Sequence, residues 1–155
     1  MTGLACETAD AELAAARCEQ GLALWRGQPF AGLDTPRLNQ LRAGLEAERH
    51  VAQLHRNDLM LRLGRYPAVL TELTTSVAEN PLDERLVCQL MLALYRTGRR
   101  AEALRAHQRI RLDLAKELGV DPGPELGDLY RRMLANDLDG VRGRGFAARR
   151  DVRRT

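Results

Sequence analysis

His50, His55 and His107 are the imidazoles available for proton transfer or metal binding, and their placement argues against both uses. On a helix, the five residues from His50 to His55 turn the second ring about 140° away from the first, too far round to share a metal ion. No cysteine or carboxylate completes a ligand set nearby, so these side chains read as surface or partly buried imidazoles. Nucleophilic catalysis has no better footing. Ser76 is the only serine, and it lies in a helical pattern without the glycine-rich turn that exposes a reactive hydroxyl. Cys6, Cys18 and Cys88 are odd in number and lack CxxC spacing, which fits reduced thiols in a cytoplasm. Gly140, Gly143 and Gly145 alternate with arginines in a stretch that neither follows a strand nor opens a helix, so a phosphate-binding loop is absent from the reading. The sequence assigns no cofactor, no metal and no enzymatic reaction.

Non-covalent recognition is the remaining class, and the elements support it. Of the 155 residues 45% are hydrophobic but only 4% aromatic, with Leu and Ala prominent, the usage of helical arrays rather than β-sandwiches. A chain of this length buries enough surface to fold without a disulfide or metal. The segments RLGRYPAVL from Arg62 and RTGRRAEAL from Arg96 share the pattern R-x-G-R-x-x-x-x-L and start 34 residues apart, the tetratricopeptide period. Gly64 and Gly98 fall where paired helices turn, and where a left-handed backbone suits glycine.

The expected fold is all-α: a tetratricopeptide-like array of antiparallel helix pairs with a C-terminal capping helix. A first helix is expected from about Ala9 to Trp25, ended by Gly27, Pro29 and Gly32. Thr35 and Pro36 supply a cap and a first helical position for a long second helix, which Asn57-Asp58 could bend. Leu70, Leu73 and Val77 mark the next apolar face, and Leu86, Leu90 and Leu94 the one after it. Leu104, His107, Leu114 and Leu118 form a further stripe, with Ile110 on its flank. Asp121-Pro122-Gly123-Pro124 makes a rigid turn whose last proline opens the capping helix, where Leu126, Leu129, Tyr130, Met133 and Leu134 recur at helical spacing. The expected organisation is a disordered N-terminus over 1–8, a helical domain over 9–137 and an Arg/Gly-rich disordered tail over 138–155.

Charge is segregated. Residues 140–155 carry Arg142, Arg144, Arg149, Arg150, Arg153 and Arg154 against the single acid Asp151, so the body before them holds 18 basic and 20 acidic residues. A slightly acidic body lacks the one-sided excess that phosphate binding requires. The tail reads as a linker, with counterion-release binding of nucleic acid as the alternative. No apolar run approaches the ~20 residues of a membrane span, and the N-terminus lacks the features of a signal peptide. Trp25, near the end of the first helix, reads as a packing anchor or as an interface hot spot.

Four segments, ALWRGQPFAGL from Ala23, ENPLDERL from Glu79, LMLALYRTGRRAEAL from Leu90 and ELGVDPGPEL from Glu117, together resemble the bacterial transcriptional activation domain of SARP-type, antibiotic-pathway regulators. The resemblance covers roughly residues 11 to 137. It implies a helical domain that normally follows a winged-helix DNA-binding domain, in regulators that bind promoter DNA and engage RNA polymerase at biosynthetic gene clusters. This sequence departs from that plan, since too little precedes Ala23 for a winged helix and the usual preceding helix looks missing or shortened. The expectation is a protein-interaction unit that does not itself select DNA, partnered by a winged-helix domain in cis or in trans and by RNA polymerase. The apolar side of the first helix, including Leu13, Leu24 and Trp25, is then the candidate surface for self-association or for docking of that domain. A general tetratricopeptide adaptor unrelated to transcription is the competing reading.

Overall fold

The computed structural model describes residues 2–32 and 34–138, with side chains from Glu7 onward. Among the described residues there are six helices and no strand: α1 (Thr2–Ala23), α2 (Pro36–Arg62), α3 (Tyr66–Glu79), α4 (Glu84–Arg96), α5 (Arg100–Leu118) and α6 (Pro124–Leu134). The all-α expectation holds.

Local chemistry sets the helix ends. The Thr35 side chain accepts from the Leu38 amide with Pro36 in the first turn of α2, and Asp83 accepts from the Leu86 amide at the start of α4. After α2, the Arg65 amide donates to the Met60 carbonyl and Gly64 to Leu61; after α4, Arg99 donates to Leu94 and Gly98 to Tyr95. These are two copies of one Schellman turn, and they need a left-handed residue at its centre: Gly64 has φ +72° and Gly98 φ +80°. The same turn closes α6 around Asn136, φ 54°, where Asp137 donates to Arg132 and Asn136 to Met133. A Cβ on Gly98 would meet no atom within 4 Å, so the penalty for adding one is conformational. Gly98→Val is expected to cost at least about 1 kcal/mol, read as a lowered thermal midpoint; an unchanged midpoint would contradict the assigned turn.

α4 packs against α2, α3, α5 and α6, and α1 packs against α2. Thus α2, α4 and α6 form one row, with α3 and α5 set behind it. Val69, Leu73, Met91, Ala93, Ala103, Leu126 and Met133 are fully buried at the junctions. The second helix runs unbroken through Asn57-Asp58, whose side chains bond across the fold to Gln89 and Arg85 instead of competing for their own backbone, although the buried Asn57 Oδ1 has no partner among the described residues. Asn57 donates to Gln89 at 3.2 Å, and Gln89 in turn donates to the Leu54 carbonyl at 2.8 Å and to Asp58 at 2.6 Å. Arg56 ties three helices together through Glu19 of α1 at 3.1 Å and Glu72 of α3 at 2.5 Å.

The structure corrects several sequence expectations. The first helix begins at Thr2, not near Ala9, so residues expected to be disordered extend α1, and nothing in that run beyond one glycine opposes helix. It also ends at Ala23, two residues before Trp25. Ile110, placed on a flank, is 1% exposed, while Leu118 is 60% exposed. The buried seam of α5 is Ala103, His107, Ile110 and Leu114, and the 19-residue α5 outlasts the 13-residue α4 beside it, leaving its last turn uncovered. Leu134, at the last position of α6, is likewise exposed. Leu138 belongs to the core, not to the tail: it is buried, and its carbonyl accepts from Arg96 at 2.6 Å. The rest of the expected tail lies outside the described residues.

His107, the polar member of the α5 seam, stacks on Tyr130 of α6 with ring centroids 3.9 Å apart and planes 11° from parallel. Burial, aided by the charge of Arg111, holds its pKa below the ordinary imidazole value. The folded state therefore prefers neutral His107, whereas the unfolded chain takes up the proton as pH falls below that ordinary value. The contribution is complete above the unfolded pKa and is lost as pH falls toward and through the lower folded one. His107→Gln is expected to flatten the decline in thermal midpoint between about pH 7 and pH 5; an identical slope in both proteins would contradict this.

Candidate interaction site

The described residues contain no group of three or more His, Cys, Asp or Glu placed to hold a metal ion. His50 Nε2 donates to the Asp83 carboxylate at 2.7 Å, linking α2 to the cap of α4, while His55 is exposed. Cys18 is partly buried and Cys88 buried, both as free thiols. Burial, reinforced by Glu125, Glu84, Asp83 and Asp58, pushes the Cys88 thiol up to about 12, so it stays protonated at neutral pH and is a poor nucleophile. No described helix is long and apolar enough to cross a membrane.

Two surfaces stand out instead. The first is the outer face and far end of the α1–α2 hairpin. Against α2, α1 buries a seam of small side chains, Ala11, Ala14, Ala15 and Cys18. Leu13 lies on the opposite side of α1 and is 53% exposed, and Leu24, in the turn after it, is 81% exposed. Trp25 is half-buried, with the Arg49 guanidinium 5.6 Å from its ring centroid, and this contact orients the indole without enclosing it. Beyond it the chain is pinned back onto α2 by Arg42, which donates to the carbonyls of Pro29 and Phe30 at 2.9 Å each. Phe30 takes φ 56°, uncommon for an aromatic residue, and leaves its ring 43% exposed. The structure thus brings Trp25 and Leu24 together at one end and leaves Leu13 about three turns away along α1. Phe30, Arg42 and Arg49 were not singled out from sequence; only the Gly27–Gly32 turn signals pointed toward them.

The second surface is a cleft of about 380 Å³ between α2, α4 and α6. Leu61, Cys88, Leu92, Leu126 and Leu129 supply its apolar floor. Asp58, Glu84, Arg85 and Glu125 form its rim. Arg85 pairs with Asp58 at 2.6 Å, and Glu84 accepts from the Gly123 amide at 2.6 Å. The Asp-Pro-Gly-Pro turn now has a reason for its glycine. A Cβ on Gly123 would lie 3.1 Å from Glu84 Oε2, crowding the carboxylate that caps the first turn of α6, while Pro124 opens that helix as expected and Pro122 leads into the turn. The six tail arginines fall outside the described residues.

A family model described as the bacterial transcriptional activator domain matches residues 2–134. The chain belongs to this family. The activator domain is 42% identical over 145 residues to the regulatory protein AfsR of Streptomyces griseus, covering 90% of this chain and 15% of that protein. It is 39% identical over 142 residues to the regulatory protein DnrI of Streptomyces peucetius, covering 86% and 49% respectively. Among solved structures it is similar to Mycobacterium tuberculosis EmbR in complex with a low affinity phosphopeptide, with TM-score 0.72 and 34% identity over 83% of this chain and 36% of that one. The activator domain therefore spans less than half the length of each of these relatives, and its tetratricopeptide-like helical array is the one shared with EmbR. These relatives are SARP-type regulators of transcription, the family suggested by the four sequence segments.

Proposed function

We propose that the activator domain acts by non-covalent protein contact in the control of biosynthetic gene-cluster transcription, with the α1–α2 end as a docking surface for a winged-helix DNA-binding domain, in cis or in trans. RNA polymerase is the second partner. The observation that carries the reading is the apolar exposure at this end, where Leu24 is 81% exposed next to the half-buried Trp25. Tryptophan is enriched among interface hot spots, and the exposed Leu24 beside it adds apolar area. Leu13 extends the same surface along α1. Co-purification tests the assignment: the chain should retain a winged-helix domain from a SARP-type regulator and RNA polymerase, and retention of neither would reject it.

Selection of DNA sequence is assigned to the partner. The body before residue 140 is slightly acidic and lacks the one-sided positive excess that phosphate binding requires. In gel retardation the full chain is expected to bind promoter and random duplexes equally weakly. Changing the six tail arginines to serine should abolish what binding there is. Promoter-selective retention by the serine variant would overturn this division of labour.

A further inference from the structure

The cleft between α2, α4 and α6 is apolar at its base and acidic at its edge: three rim carboxylates face one guanidinium, Arg85. Burial, and after it the nearby Glu125, Glu84, Asp83 and Asp58, raises the pKa of the Cys88 thiol on the cleft floor. We propose that this cleft is a docking site for an extended, arginine-rich peptide, and that its occupant is the chain's own segment 139–155, bound in cis.

Charge is the first argument. That segment carries six arginines and two acids, Asp139 and Asp151, the strongest positive concentration in the molecule, and the rim retains two uncompensated negative charges. Attachment is the second. On α4, Arg85, Gln89 and Leu92 line the cleft, and Arg96, the next residue on that face, holds the Leu138 carbonyl at 2.6 Å. The segment therefore departs from the end of the stripe that builds the cleft wall. Reach is the third. Arg96 and Glu84 are about 18 Å apart along the helix axis. An extended chain advances about 3.3 Å per residue, placing Arg142 about 13 Å and Arg144 about 20 Å beyond Leu138, within range of the rim at Glu84 and Glu125.

The local sequence suits this path. With alternation of side chains along an extended peptide, Arg142 and Arg144 share one side, leaving Val141, Gly143 and Gly145 on the other. Glycines there let the backbone approach the apolar floor closely.

The test compares amide resonances of the full chain with those of a full chain in which the six arginines are serine. In low salt, the two should differ at Cys88–Leu92 and Leu126–Leu129; in high salt the differences should vanish, as expected for a partly screened contact. They should be independent of protein concentration. Glu125→Arg in the arginine-intact chain should move the Cys88–Leu92 resonances toward those of the serine variant, with helical content unchanged. Differences confined to 139–155, or insensitive to salt, would overturn the proposal. Differences that disappear on dilution would overturn the intramolecular form by assigning the cleft to the segment of a second copy.

Discussion

Met91→Ala is expected to lower stability by about 3 kcal/mol, within the 2–5 kcal/mol range typical of truncating a buried methionine. Met91 is fully buried on α4, the helix that packs against four others, so the cavity opens where the least collapse is possible. For a domain of this size such a loss lowers the thermal midpoint by roughly 10 °C. Denaturant titration at constant m-value checks it, and a loss below about 1 kcal/mol would mean that α4 is not the central helix of the array.

The second large effect is expected at the α1–α2 end. Leu24→Asp combined with Trp25→Ala should weaken binding to a winged-helix partner by about 30-fold or more, the scale of losing hot-spot contacts near 2 kcal/mol. Leu24→Asp alone should leave the thermal midpoint nearly unchanged, because the side chain is 81% exposed in the domain itself. Without a partner, the same surface should drive self-association at micromolar concentration, visible in light scattering and in a concentration-dependent shift of Trp25 emission. A monodisperse monomer with constant emission would remove the self-association branch and leave the winged-helix branch standing.

The parts of the fold that were legible in the sequence are those governed by neighbours along the chain. Gly64 and Gly98 could be placed in left-handed turns because a 34-residue repeat put the same residue at the same joint twice. Pro36 and Pro124 could open helices because proline has a positional rule. Features that depend on how helices rotate and pair across the fold were not legible. Glu84 caps a turn 39 residues away, and Gln89 reaches Leu54 across 35. Periodicity put Leu118 in the α5 stripe and Ile110 on its flank, whereas the way α5 packs buries Ile110 and its length beyond α4 leaves Leu118 exposed. Leu138 looked like the start of a tail because one apolar residue carries no period, yet the Asn136 turn folds it into the core. Leu13, Leu24 and Trp25 could be flagged, but the acidic cleft could not, since its rim is assembled from three separate helices.

The most direct measurement of the central idea, that this domain docks a protein partner through its α1–α2 end, is the fluorine resonance of fluorotryptophan at Trp25, the only tryptophan of the chain. The chain is titrated with a winged-helix domain from a SARP-type regulator. The expected result is a single free resonance replaced by a bound one, saturating at equimolar partner and absent in Leu24→Asp. Binding that leaves the Trp25 resonance unmoved, or no binding at all, would contradict the account.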